Sequence, residues 1–74
     1  MEFEVGKNYV VKLGKKHRHS IIEAKYIEYR EEEDSHVVQT VKVIEWNASP
    51  IWLEMVKKGL QFIVGTEQIL KEVE

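Results

Sequence analysis

The chain has no cysteine among its 74 residues, which removes disulfides, a thiol nucleophile and thiolate metal ligands at once. Proline occurs once, at Pro50, and the four glycines stand apart at positions 6, 14, 59 and 65, so no glycine-rich phosphate loop is present. Long apolar runs are also missing. Nothing approaches the roughly 18 apolar residues of a membrane-spanning helix, and Met1-Glu2-Phe3-Glu4 lacks the basic-then-apolar pattern of a secretory signal. Neither charge sign dominates: 11 Lys and Arg stand against 13 Asp and Glu, a formal charge of -2, which excludes strong whole-molecule attraction to nucleic acid or anionic lipid. The expectation is a cytoplasmic protein that does not associate with membranes.

What is present is the balance of one small globular domain over residues 1–74, with 43% hydrophobic and 32% charged residues. A chain this short buries only about 60% of the surface it exposes when unfolded, which leaves little room for a deep, lidded substrate cavity.

Tyr9, Val11 and Leu13 alternate with Asn8, Val10 and Lys12, which predicts a strand over 7–13 ended by Gly14. Runs rich in Ile, Tyr and Val predict further strands over 19–29 and 36–46, separated by the acidic stretch Glu31-Glu32-Glu33-Asp34. A turn at Glu32 and Glu33 pairs the two long strands antiparallel. It sets Ile22 against Val43, Ala24 against Val41 and Tyr26 against Gln39 on a buried face, with Glu23 against Lys42 and Lys25 against Thr40 on the solvated one. Ser49 as N-cap and Pro50 at the first helical position predict a short helix over about 50–58. Ile51, Trp52, Met55 and Val56 lie on one side of it, and Gly59 stops it. A short strand over 60–64 and a turn at Gly65-Thr66 follow, and residues 67–74 suit either a short helix or a final strand, with a helical turn and then a strand the favoured reading. The fold expected is mainly β (α+β): a small SH3-like barrel, or otherwise a bent antiparallel meander with the helix packed on one face.

Three groups of residues invite a functional reading. Lys12, Lys15, Lys16 and Arg18, with His17 and His19, make a basic hairpin tip suited to phosphate contacts, Arg18 by bidentate hydrogen bonds and the lysines as point charges. A solvated turn explains the same composition. At the other end of strand two, Glu28, Glu31, Glu32, Glu33 and Asp34 form an acidic edge. It lacks the spacing of a calcium loop but suits a basic protein surface or mimicry of a phosphate line. In the register above, Ile27, Tyr29, His36 and Val38 all point to the solvated face beside this edge, an apolar and aromatic patch rimmed by charge, as protein-binding surfaces are. Trp46 and Trp52 read as core.

Chemistry has little support. His17 and His19 share a face on an extended segment, but His36 lies ten residues farther along the hairpin, about 33 Å before bending, so the three cannot share a metal. Ser20, Ser35 and Ser49 lack an adjacent base with an orienting partner. No enzyme activity and no cofactor are expected. The leading expectation is a non-catalytic protein-binding module, such as a small accessory or inhibitor protein of a mobile element, that engages another protein through Ile27, Tyr29, Glu31, Glu32, His36 and Val38. The alternatives are a nucleic-acid-binding barrel that uses Lys12, Lys15, Lys16 and Arg18, and a structural homo-oligomer.

Overall fold

The computed structural model describes residues 3–15 and 18–74, with Lys15 and Arg18 described by their backbone alone. The chain is mainly β: strands β1 (Asn8–Lys15), β2 (Arg18–Arg30) and β3 (Ser35–Glu45) are followed by helix α1 (Pro50–Lys57), then β4 (Gln61–Val64) and β5 (Ile69–Glu72). Single 3-10 turns occupy Glu31–Glu33 and Thr66–Gln68. All pairings are antiparallel, in the order β4-β3-β2-β1-β5, so the last strand returns beside the first. Among the described residues β4 and β5 do not pair with each other, and the sheet stays open between them.

The core follows the alternation expected of β1 and β2. Tyr9 and Val11 from β1 meet Ile22, Ala24 and Tyr26 from β2, joined by Val38, Val64, Ile69 and the one buried residue of the helix, Val56. Leu13, Val43, Trp46, Leu60 and Phe62 pack at its margin. Gln68 ties the two ends of the chain together, with its Nε2 donating to the Lys12 carbonyl and its Oε1 accepting from the Gly65 amide.

The β2–β3 hairpin keeps part of the expected register and shifts the rest. Ile22 pairs with Val43 and Glu23 with Lys42, as the charge and apolar matches require. Val41 is then an extra residue on β3, so Ala24 meets Thr40, Lys25 meets Gln39 and Tyr26 meets Val38, in place of Val41, Thr40 and Gln39. Ile27 is an extra residue on β2 and restores the count, returning Tyr29 to His36. Each β-bulge changes the phase of alternation and bends its strand. The core-facing residues of β3 accordingly run Val43, then Thr40, Val38 and His36, while Val41 turns out to solvent and Ser35 and Val37, on the alternate positions, are covered as well.

This corrects the expected patch. Val38 does not share a wet face with Ile27 and Tyr29: it is fully buried in the core, and His36 is buried beside it at 6% exposure. The chain should be sensitive at the centre of this packing. Replacing the fully buried Ile22 with Ala is expected to cost about 2–5 kcal/mol, read as a lower urea midpoint with an unchanged slope.

Candidate functional site

Two surfaces concentrate what the fold leaves available. The first is the end of the sheet where β2 turns into β3. There His36 is held at both ring nitrogens, with Nδ1 2.7 Å from the Tyr26 hydroxyl and Nε2 2.9 Å from Thr66 Oγ1. A neutral imidazole donates from one nitrogen and accepts at the other, and each hydroxyl can take the complementary role. The rings of Phe3 and Tyr29 lie 5.1 Å and 5.2 Å from that of His36, and Phe3 also stands edge-on to Tyr9 at 5.3 Å. The Tyr9 hydroxyl accepts from the Glu4 amide at 2.8 Å, which draws the N-terminal segment across this aromatic cluster.

Tyr29 is the exposed member. Its hydroxyl donates to Asp34 Oδ1 at 2.7 Å, and this bond, with burial and the Asp34 charge behind it, raises the phenol above its usual value. Burial raises Tyr26 likewise, with the neighbouring Tyr9 adding to it. Asp34 adopts a left-handed conformation (φ 47°), which lets the chain reverse after the 3-10 turn and leaves Glu31, Glu32 and Glu33 in water. Arg30 lies 3.7 Å from Glu28 and 3.9 Å from Glu33 on this rim. Of the six residues expected to form a protein-binding patch, Tyr29, Glu31 and Glu32 are exposed, Ile27 is half-buried, and His36 and Val38 are enclosed.

The basic tip contributes less to the described surface. Lys12 is half-buried, and Lys15 pairs with Arg18 at the backbone where β1 meets β2. Lys16 and His17 lie outside the described residues, as do the side chains of Lys15 and Arg18. His19 Nε2 is 3.8 Å from Glu45 Oε2. Among the described residues no group of three His, Cys, Asp or Glu is placed to hold a metal ion, and no helix is long and apolar enough to cross a membrane.

The second surface is α1, and sequence reasoning placed its residues in the wrong environment. The helix is anchored at both ends. Ahead of it, the Asn47 amide donates to Ser20 Oγ at 2.8 Å, Asn47 Nδ2 donates to the His19 carbonyl at 2.9 Å, and Trp46 Nε1 donates to the Ser49 carbonyl at 3.1 Å. Ser49 Oγ accepts from the Ile51 amide, the expected N-cap. Behind it, Gly59 (φ 95°) turns the chain, and the Leu60 carbonyl accepts both the Thr40 amide at 3.1 Å and the Thr40 hydroxyl at 2.9 Å. A side chain at position 59 would be doubly disfavoured, by that φ and by Gln39 Nε2 at 3.2 Å.

Held this way, α1 turns Val56 fully inward and leaves the rest of its apolar side in water: Ile51 is 80% exposed, Trp52 54% and Met55 46%. The expectation that Trp52 is core is therefore corrected, whereas Trp46 is half-buried against the core margin. The physical reason is width. Ile51, Trp52, Leu53, Met55 and Val56 spread over most of the helix circumference, and a helix of eight residues on an open sheet has room to bury one edge of that spread. The signal was in the sequence as an excess of apolar residues over what so short a helix can cover.

Compared with protein-family models, curated proteins and solved structures, the chain matches none.

The hydroxyl partner of His36 supplies a test. Tyr26→Phe should cost about 1–3 kcal/mol, because a buried imidazole nitrogen loses its partner. The raised phenols also set a pH dependence. Tyr26 and Tyr29 keep their protons in the folded state at pH values where the unfolded chain has lost them. Their contribution is thus fully present below about pH 10 and is lost as pH rises through the raised folded values. Urea midpoints measured from pH 8 to pH 11 should fall at the alkaline end, and less steeply in Tyr26→Phe.

Proposed function

We propose that the chain is a non-catalytic protein-binding module on an SH3-like small barrel, and that its docking surface is the outward side of α1. The return of β5 beside β1 and the curvature added by the bulges support the barrel reading. The observation that carries the functional reading is the exposure of Ile51, Trp52 and Met55 on a helix fixed at both ends. Trp and Met are enriched at interface centres, and a Trp anchored on rigid backbone loses little conformational freedom on binding. Fully burying such side chains contributes roughly 1.5–3 kcal/mol each before the costs of association. The acidic rim at Glu31 and Glu32, with Tyr29 beside it, lies on a different part of the surface and serves as a secondary charged border in this reading.

The test compares the wild-type protein with Ile51→Glu, at a largely exposed position where the folded state should lose no more than about 0.5 kcal/mol, and with Trp52→Glu, which also gives up the packing of the covered part of the indole. Proteins cross-linked to the immobilised wild type should be lost from both variants while both keep the wild-type circular dichroism and Ile51→Glu keeps the wild-type urea midpoint. Retention of the same proteins by Trp52→Glu would overturn the assignment of the surface.

A further inference from the structure

We infer that the free edge of β4 takes a second copy of the chain, which adds its own β4 antiparallel and joins the two sheets into one. The sheet has two open edges, and they differ. β5 is blunted by the devices that keep edges from pairing: its ladder with β1 shifts register after Val10, and it carries Lys71 and Glu72. β4 has neither. Its ladder with β3 runs without a shift from Gln61 on Gln39 to Val64 on His36, and the chain carries no charge and no proline from Gly59 to Thr66. A straight, uncharged, apolar edge is a template for another strand.

The hydrogen bonds fix which groups are on offer and what fits them. The Thr40 amide donates to the Leu60 carbonyl at 3.1 Å, so by the alternation of an antiparallel ladder Leu60, Phe62 and Val64 turn their backbone groups toward β3. The N–H and C=O of Gln61 and Ile63 point the other way, where among the described residues β4 has no neighbour. Donors and acceptors repeated every second residue along an extended backbone match another extended backbone and not a compact ligand.

The fit of β4 to itself names that strand. A two-fold axis at Phe62 sets Gln61 of each copy against Ile63 of the other and satisfies all of these groups with β4 residues. The side chains keep their faces in this register. The exposed Gln61 and Ile63 meet on the solvent side, and the two Phe62 rings, each at the margin of its own core, meet on the other. No charge is brought into the paired stretch. Adding β4 to the β5 edge of another copy would instead meet the register shift and the charges of that strand. The contact is therefore isologous and closes at two copies, without growing into an open chain. Paired strands of four residues are marginal by themselves, so the dimer belongs to high protein concentration.

Amide hydrogen exchange on the full chain tests this with no substitution at all. Between micromolar and millimolar protein the Gln61 and Ile63 amides should slow at least about threefold while those of β5 keep their rates. Over the same range the mass at sedimentation equilibrium should rise from 8.8 kDa towards twice that value. Ile63→Lys places a charge on the edge at an exposed position, and Ile63→Pro removes an outward N–H where an edge strand tolerates proline. Both should hold the mass at the monomer value with wild-type circular dichroism. Trp52→Glu should still associate, which separates this edge from the α1 reading. A mass that stays at the monomer value with unchanged exchange at Gln61 and Ile63, association that survives Ile63→Lys, or growth beyond two copies would each overturn the inference. So would association lost in Trp52→Glu and kept in Ile63→Lys, which would place the contact on α1.

Discussion

The placement of α1 depends on one buried threonine. Thr40 faces inward because Val41 is the extra residue of a bulge, and from there its amide and hydroxyl both reach the Leu60 carbonyl. A two-fold clamp on a single carbonyl fixes the chain where it leaves the helix, and Asn47 and Ser49 fix it where it enters. With both ends tied, the roll of the helix about its axis is set by Val56, which fills the core space it meets. Everything exposed on α1 is exposed because those three anchors leave no freedom to turn the helix over. A bulge in one strand thus decides which side chains of a separate helix meet solvent.

The same logic applies at the far end of the hairpin. The Ile27 bulge restores the count that the Val41 bulge changed, so the acidic turn still falls at Glu31–Glu33 even though the intervening pairs have moved. Between the Val41 and Ile27 bulges, two of the three shifts along this hairpin, Tyr26 and Val38 lie side by side in the core. Beyond them it delivers His36 to the Tyr26 and Thr66 hydroxyls. The aromatic cluster around His36 closes that end by drawing in Phe3 and Glu4.

Much of this was legible in the residues. The body of β1, the long antiparallel hairpin with Ile22 on Val43 and Glu23 on Lys42, and the Ser49 cap follow from local pattern, whereas β1 continues through Gly14, where a break was expected, to Lys15, and residues 67–74 fit either a helix or a strand. The bulges do not follow from local pattern. Val37, Val38, Val41, Val43 and Ile44 are apolar at both odd and even positions, so β3 satisfies a hydrophobic face in either phase. The residues that could have distinguished the phases, Gln39 and Thr40, are both polar. Only the Leu60 carbonyl, twenty positions away, makes Thr40 the one that belongs inside. The patch built on Val38 and His36 failed for that reason, and Trp52 was assigned to the core because composition alone does not reveal how little of a short helix an open sheet can cover.

The return of β5 to β1 has a kinetic side. Val11 pairs with Ile69, and Gln68 reaches the Lys12 carbonyl 56 positions away, so the bonds that join the two ends of the chain close the longest loop in the fold. Closing so long a loop carries a large entropic cost before any contact offsets it, and chains dominated by non-local antiparallel pairing fold in roughly milliseconds to seconds. The β2–β3 hairpin, whose partners are near in sequence, can form first and carry α1 with it. The four-residue strand β5, held by these distant contacts, is the natural place for the native chain to begin opening.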